Sequence, residues 1–267
     1  MNDEKKNFRI VADKKTRVIL PNILTLIGVC IGLSSIKFAL DMKYDLAVIA
    51  VIFAAVIDGL DGRIARLIKG TSKVGKELDS LTDVISFGVA PAFIMYFWSL
   101  NNLGKFGWLL CLIYVVCVTL RLARFNVGSN EEPSWKDNFF EGVPSPAGGI
   151  LILTPLVYSI TELNFFNIEY KYVVPIFFIT TSFLLISKLP TYSLKKIIVP
   201  RAMTIFLLFG IVLFFGLLLV YPFIVMFISA MIYLSFIPVS FAHYIKLNKK
   251  NKNNDSLKIN EDHEDIL

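Results

Sequence analysis

The sequence has few of the residues that build soluble metal sites and disulfide scaffolds. It contains 3 cysteines and 2 histidines in 267 residues. The cysteines lie inside apolar stretches without metal-ligand spacing, so we expect small buried hydrophobic side chains rather than a disulfide framework. Charged residues make up only 18% of the chain, whereas soluble domains carry about 25%. An ordinary water-soluble domain is therefore excluded.

Hydrophobic residues are abundant and arrive in continuous blocks. They make up 55% of the chain, and the mean hydropathy is +0.66. A helix of about 20 apolar residues crosses the roughly 30 Å hydrocarbon core of a bilayer. The sequence therefore predicts an all-α, polytopic transmembrane helix bundle. We predict eight spans, at residues 18–40, 46–66, 77–100, 106–125, 146–162, 172–187, 202–220 and 222–245.

The distribution of basic residues predicts the orientation of these spans. With the N-terminus in the cytoplasm, 23 of the 27 lysines and arginines fall in cytoplasmic segments and 3 in external loops. Cytoplasmic loops carry such an excess in membrane proteins. Both termini are therefore predicted to be cytoplasmic. The basic composition is explained by this topology, and no nucleic-acid partner is expected.

The chain ends differ in composition from the apolar blocks. We predict a cytoplasmic N-terminal arm at residues 1–17, a transmembrane domain at 18–245, and a cytoplasmic tail at 246–267. The tail is rich in lysine, asparagine and acids. Such a segment buries too little apolar surface to fold, so we expect it to be disordered.

Four acidic residues mark the cytoplasmic ends of the second and third predicted spans. Asp58 and Asp61 are three residues apart, and Asp79 and Asp83 are four apart. Each spacing puts both carboxylates on one helix face. A short connection makes the two helices antiparallel neighbours, so the four carboxylates should converge. Oxygen ligands without histidine or cysteine favour a hard divalent ion, and Mg²⁺ or Mn²⁺ is expected.

Residues between the acids favour a phosphate-containing substrate. Gly59 and Gly62 leave the helix surface bare, which allows close approach of a ligand. Arg66 can offer a fork of donors to a phosphate. These features are typical of a diphosphate bound at the water–lipid interface.

Simpler interpretations of the same residues stay open. The glycines can serve helix packing alone. The acids can instead form a structural salt-bridge cluster with the nearby basic residues Arg63, Arg66, Lys73 and Lys76.

The acidic motif resembles a known signature. From Asp58 to Asp83 the chain follows the pattern D-x-x-D-G-x-x-A-R, eight residues, then G-x-x-x-D-x-x-x-D. It resembles the signature of the CDP-alcohol phosphatidyltransferases at every specified position. Three further segments, at 86–92, 121–126 and 142–148, are similar to the bacterial integral-membrane phosphatidylserine synthases of that family.

The resemblance implies an activity. Such an enzyme transfers the phosphatidyl group of CDP-diacylglycerol to the hydroxyl of L-serine and releases CMP. The resemblance also implies a location in the bacterial inner membrane, an active site facing the cytoplasm, and a homodimer.

The resemblance also assigns roles to individual residues. Asp58, Asp61 and Asp79 are implied to bind metal, and Asp83 to bind metal and act as the base. The implied CDP-alcohol contacts are Asn22, Thr25, Gly62, Arg66 and Ser72. For Asn22 the alternative is a polar residue that caps the start of the first span.

A serine acceptor requires a partner for its carboxylate. Arg121 and Arg124, at the cytoplasmic end of the fourth span, are the candidates. Asn126 and Ser145 are candidates for contacts with the amine or carboxylate. Alternatively, both arginines are positive-inside anchors whose charged ends reach for water.

Two other functions remain open from the sequence. Within the family, the acceptor can be glycerol 3-phosphate or inositol. From a different class, a divalent-cation transporter also carries acids inside membrane spans. Neither the interfacial placement of the acids nor Gly62 and Arg66 is explained by transport.

Overall fold

The structure is a computed structural model that describes residues 14–68, 70, 72–128, 139–161, 169–192 and 201–264. Short non-α elements are a π-helical segment at Val84–Val89, a 3₁₀ turn at Leu100–Leu103, and strands β1 (Phe139–Glu141) and β2 (Pro190–Tyr192). Within these ranges the α-helices are α1 (Lys14–Leu40), α2 (Tyr44–Leu67), α3 (Lys73–Asp83), α4 (Ala90–Trp98), α5 (Lys105–Gly128), α6 (Ser145–Ile160), α7 (Tyr170–Ile186), α8 (Arg201–Val220) and α9 (Pro222–Glu264).

The predicted all-α helix bundle is confirmed, and each predicted span corresponds to a helix or to a continuous helical run. In the described part of the chain, five helical runs are long and apolar enough to cross a membrane, which supports an integral membrane protein. The third of the eight predicted spans is a composite of α3, the π-helical segment and α4. Helices α6 and α7 are apolar but shorter, and α2 carries the acidic motif near its end. The total of eight spans and their orientation remain predictions.

Helix packing places the start of α1 beside the acidic motif. Helix α1 packs extensively against α2 and also contacts α3, the π-helical segment and α4. Helix α5 packs against α7, and α6 against α7 and α9. The largest fully buried side chains include Tyr114, Phe87 and Phe178. The core therefore lies behind the π-helical segment, directly below the acidic residues.

The π-helical segment follows Asp83 without a break, and its geometry has a local cause. In an α-helix the Phe87 carbonyl would accept a hydrogen bond from residue 91, but Pro91 has no N–H to donate. The buried Tyr114 hydroxyl of α5 donates to the Phe87 carbonyl oxygen at 2.8 Å instead. This contact ties α5 to the helix that carries Asp79 and Asp83.

A two-stranded antiparallel ribbon, which the sequence did not predict, joins the segments before α6 and after α7. Phe140 pairs with Thr191 at its centre. Gly142 then turns the chain into α6 with φ +75°. A Cβ there would lie 2.8 Å from the Ser187 carbonyl oxygen and 2.9 Å from that of Leu185. Glycine is therefore required by both the backbone angle and the space.

Helix α9 differs from the predicted tail. Disorder was expected from residue 246, but α9 is helical through Glu264 over 43 residues. A helix that is already formed in the span adds residues without a new nucleation step. Lysine and glutamate also lose little side-chain freedom in a helix. The predicted N-terminal arm lies largely outside the described residues.

The packing of α1 on the π-helical segment depends on Gly32. A Cβ at this position would lie 2.5 Å from Ser86 Oγ and 3.1 Å from Ser86 Cα. We predict that Gly32→Ala lowers stability by about 1–3 kcal/mol, because overpacking pushes the helices apart. Thermal unfolding in detergent measures the change.

Gly210 in α8 provides the matched control, since a Cβ there meets no atom within 4 Å. Gly210→Ala should leave the unfolding midpoint unchanged or slightly raised, because alanine favours helix. Equal midpoints for the two variants would contradict the packing argument.

Candidate functional site

Three carboxylates converge where the C-terminal part of α2 faces α3. Ligand oxygens of Asp58, Asp61 and Asp79 all lie within 4.8 Å of one another. The side chain of Asp61 is 3% exposed, whereas Asp58 and Asp79 are partly buried. The helical spacing brings Asp58 and Asp61 to one face of α2, and Asp79 of α3 meets them there. Helix α1 packs against both helices.

Asp83 extends the cluster by one turn toward the core. Its carboxyl group lies near that of Asp58. On its other side, the Ser145 hydroxyl lies 3.4 Å from Asp83 Oδ2. Arg121 Nη1 donates to Ser145 Oγ at 2.8 Å. Residues from α3, α5 and the start of α6 therefore form one polar chain behind the carboxylates.

The donor set fits a hard divalent cation. Ionised Asp58 and Asp83 cannot donate a proton to each other, and Asp83 Oδ1 is buried without a hydrogen-bond partner. Among the described residues no salt bridge joins these four acids to a basic side chain. The salt-bridge alternative is therefore not favoured. Carboxylate oxygens without histidine or cysteine are the ligands that Mg²⁺ and Mn²⁺ prefer.

The surface beside the carboxylates is open. A Cβ at Gly59 or at Gly62 would meet no atom within 4 Å. Both glycines are exposed, so close helix packing does not explain them. Arg66 lies one turn further along, with an exposed guanidinium whose Nε donates to the Gly62 carbonyl oxygen at 3.0 Å. This bare helix face leaves room for a phosphate group between the acids and Arg66.

The start of α1 contributes two further candidates. The Thr25 hydroxyl lies 2.7 Å from Asp61 Oδ2, to which it donates a hydrogen bond. Thr25 therefore orients a carboxylate of the cluster. Asn22 lies two turns inside α1 rather than at its start, so the capping alternative is wrong. A Cβ at Gly75 would lie 2.9 Å from Asn22 Oδ1, which brings Asn22 to the first turn of α3.

Ser72 lies beside the same turn and has a structural role there. It is the N-cap of α3, and its hydroxyl accepts a hydrogen bond from the Gly75 amide at 2.9 Å. A serine in this position satisfies an amide that the helix leaves without a partner. Ser72 and Asn22 are therefore neighbours at the edge of the acidic cluster.

The four acceptor candidates separate into two groups. Arg121 is 8% exposed and belongs to the polar chain that includes Ser145. Arg124 is exposed and donates to the Ile186 carbonyl oxygen at the end of α7, at 2.9 Å. Asn126 Nδ2 donates to Ser80 Oγ at 2.9 Å and so links α5 to α3. Burial excludes the anchor interpretation for Arg121, whereas the exposed Arg124 fits it.

One partly buried residue beside the site, with a buried hydroxyl, was not predicted from the sequence. Tyr233 of α9 lies close enough to Arg121 to interact with it electrostatically. It occurs within a long apolar block, where a tyrosine is indistinguishable from an interfacial or core aromatic residue. No local sequence signal identifies it, because its neighbours come from distant parts of the chain.

Removal of one carboxylate tests the metal site. We predict that Asp79→Asn weakens Mn²⁺ binding at least about 10-fold, a loss seen even when groups behind metal ligands are removed. The free Mn²⁺ signal in electron paramagnetic resonance titrations of purified protein measures the binding.

Asp45→Asn is the control. Asp45 is an exposed aspartate in the first turn of the same helix that carries Asp58 and Asp61, and it lies at the opposite end. This variant should bind Mn²⁺ like the unmodified protein. If a folded Asp79→Asn variant binds Mn²⁺ as tightly as the unmodified protein, Asp79 is not a metal ligand.

The chain is similar to characterised proteins over most of its length. The family model for CDP-alcohol phosphatidyltransferase matches residues 18–184. A CDP-diacylglycerol–serine O-phosphatidyltransferase of Mycobacterium leprae is 35% identical over 222 residues, which cover 82% of this chain and 73% of the relative. Relatives with the same name occur in Helicobacter pylori (40% identical; 51% of this chain and 56% of the relative) and Bacillus subtilis (33% identical; 52% and 77%).

Proposed function

Because the chain belongs to the CDP-alcohol phosphatidyltransferase family, we propose that it transfers the phosphatidyl group of CDP-diacylglycerol to the hydroxyl of L-serine. The products are phosphatidylserine and CMP. The observation that carries this proposal is the convergence of Asp58, Asp61 and Asp79 beside an open glycine face. The names of the relatives support serine as the acceptor.

The carboxylates of Asp58, Asp61, Asp79 and Asp83 would hold Mg²⁺ or Mn²⁺. Bound there, the ion would supply positive charge to the phosphate oxygens and to the leaving group. Arg66 supports the same charge through its guanidinium. Gly62 leaves the space in which the diphosphate lies. Asn22 and Ser72 contact the nucleotide side, and Thr25 keeps Asp61 oriented toward the cluster.

The transfer step forms one phosphorus–oxygen bond and breaks another. The serine hydroxyl oxygen attacks the phosphorus that carries diacylglycerol, and the bond from that phosphorus to the CMP oxygen breaks. Asp83 accepts the hydroxyl proton, and CMP leaves as the phosphate monoester. The hydrogen bond from Ser145 orients the Asp83 carboxylate for this role. A carboxylate is a weak base for an alcohol, so its contribution depends on position and on proton transfer late in the step.

Serine fits the polar residues behind the acids better than a phosphorylated acceptor does. Arg121 is the only buried basic side chain among the described residues. One guanidinium matches the single negative charge of a carboxylate, whereas glycerol 3-phosphate brings about two negative charges and calls for a more basic pocket. Inositol carries no charge that would require Arg121. A divalent-cation transporter does not explain the open face between Gly59 and Arg66.

The membrane setting follows from the lipid substrate. The acyl chains of CDP-diacylglycerol remain in the bilayer while its diphosphate reaches the carboxylates at the helix ends. We propose a bacterial inner membrane location with the site facing the cytoplasm, because most basic residues flank that end of the spans. A homodimer also remains a prediction, and mass measurement of the detergent-solubilised protein tests it.

The proposed reaction predicts a defined substrate dependence. Detergent-solubilised protein given CDP-diacylglycerol and Mn²⁺ should release CMP with L-serine and not with glycerol 3-phosphate or inositol. Chelation of the metal should abolish release, because the diphosphate charge is then uncompensated. CMP release is measured by chromatography. If CMP is released only with another alcohol, that alcohol is the acceptor and the serine assignment is wrong. If no alcohol gives CMP release, the proposed enzymatic function is wrong.

The two arginines of α5 predict different effects of the same substitution. Arg121→Lys keeps the charge but loses the planar fork of donors. We expect the KM for serine to rise roughly 10-fold or more, because a hydrogen bond to a charged group is lost. The KM for CDP-diacylglycerol should stay unchanged.

Arg124→Lys is the matched control, since Arg124 is exposed and bonds the end of α7. It should leave both KM values within about twofold, as expected for an exposed surface contact. Equal effects of the two substitutions would contradict the assignment of Arg121 to the acceptor pocket.

A further inference from the structure

Unpaired buried polar atoms concentrate at one point of the molecule. Four buried side-chain atoms in the described part of the chain have no hydrogen-bond partner. Three of them, Asp83 Oδ1, Arg121 Nε and the Tyr233 hydroxyl, belong to residues that interact with one another through Arg121. The fourth, Ser182 Oγ, lies on α7. Helices α3, α5 and α9 therefore contribute unsatisfied groups to a single region.

Such a concentration indicates a ligand rather than a packing defect. Each buried polar group without a partner costs roughly 1–3 kcal/mol, and most such groups in folded proteins are paired. The side chain of Arg121 is 8% exposed, and Nη1 already bonds Ser145. Its Nε remains to be satisfied. The proposed metal ion would satisfy Asp83 Oδ1. A bound molecule that offers acceptors would satisfy the other two groups, Arg121 Nε and the Tyr233 hydroxyl.

The chemistry of these two groups defines this molecule. Arg121 Nε and the Tyr233 hydroxyl donate hydrogen bonds, so both require an acceptor. One of the two donors is cationic, so an acceptor with a single negative charge is favoured. The carboxylate of an amino acid is such a group. It matches this arrangement better than a neutral polyol or a dianionic phosphate.

We propose that Tyr233 is a specificity-determining residue, which together with Arg121 binds the carboxylate of the amino-acid acceptor. This inference rests on the proposed function. The family model matches residues 18–184, so Tyr233 lies beyond it. The matched residues supply the acidic cluster, and α9 adds a group that selects the acceptor.

Helix α9 is held firmly enough to position this hydroxyl. On the same face, Ala230 is buried in a cluster with Leu151 of α6 and Leu184 of α7, and Tyr233 packs against that cluster. Further along, Ser240 Oγ donates to the Pro190 carbonyl oxygen of β2 at 2.8 Å. These contacts fix the rotation of α9 about its axis and its position along α6.

The polar neighbours of the Tyr233 hydroxyl leave it available for a substrate. They include the Arg121 guanidinium and the Thr191 hydroxyl. Thr191 donates its proton to the Gly142 carbonyl oxygen at 2.8 Å. The arginine carries only donors. The Thr191 oxygen can still accept a hydrogen bond, but the Tyr233 hydroxyl makes none to it. A carboxylate oxygen is a suitable partner for the Tyr233 hydroxyl proton, and it would also meet Arg121 Nε.

The test compares Tyr233→Phe with Tyr221→Phe in the detergent-solubilised full chain. Tyr221 is exposed between α8 and α9, so its substitution removes the same hydroxyl away from the site. Initial rates of CMP release are measured against serine and, separately, against CDP-diacylglycerol. For Tyr233→Phe we expect the KM for serine to rise roughly 10-fold, as for the loss of a hydrogen bond to a charged group. The KM for CDP-diacylglycerol, the kcat and the unfolding midpoint should stay close to the unmodified values.

The outcomes separate this inference from the function on which it rests. An unchanged KM for serine in Tyr233→Phe, with serine turnover intact, overturns the role of Tyr233 and leaves the proposed function standing. A lower kcat, higher KM values for both substrates and a lower unfolding midpoint, all together, also overturn it. That pattern is expected when a residue has only a structural role. If the unmodified protein releases no CMP with serine, the proposed function and this inference both fail.

Discussion

The site depends on the enforced proximity of carboxylates from two helices, α2 and α3. Asp58, Asp61 and Asp79 offer ligand oxygens within 4.8 Å of one another. At that separation two negative charges repel by about 3 kcal/mol at an effective dielectric constant of roughly 20. The packing of α1 and the core against α2 and α3 maintains this arrangement. A cation held by these carboxylates would remove the repulsion and would attract phosphate groups.

The surrounding structure serves this cluster in two ways. On the open side, Gly59 and Gly62 keep a helix face free of side chains, so a large phosphate group can reach the carboxylates. On the closed side, Tyr114 of α5 satisfies a carbonyl that Pro91 leaves without an α-helical donor. The π-helical segment that follows Asp83 is thereby held against the core. Substrate access is thus supplied by α2, and rigidity by the contact of α5 with the π-helical segment.

The membrane explains why the two sides are so different. Helix α8 has strongly exposed apolar side chains and packs chiefly against α9, as expected for a helix whose partner is lipid. Charged groups within the helices are instead connected to other polar groups, as in the chain formed by Arg121, Ser145 and Asp83. Burying these groups in hydrocarbon without partners would cost several kcal/mol each. Their proximity to one another and to a polar substrate offsets that cost.

Much of the fold and of the acidic site followed from short-range pattern. Apolar blocks of about 20 residues are sufficient to predict helices that cross a bilayer, and the predicted spans fall on the observed helices. The spacing of Asp58 and Asp61 places both on one face because an α-helix repeats every 3.6 residues. The ribbon between β1 and β2 was not predictable, since strands of three residues have no periodicity to detect. The helical continuation of α9 was also not predicted. The composition of the tail does not show that it follows a helix that is already formed and can be extended.

The sequence by itself therefore determined the helices, the acidic cluster and the kind of ion that it suits, all of which depend on neighbours within a few turns. Tertiary structure decided which of two similar arginines is buried beside Asp83 and which lies at the end of α7. It also decided that Tyr233 of α9 joins the same region. The physical reason is that helix rotation and the choice of packing partners depend on contacts between residues far apart in the chain, and local periodicity carries no information about them.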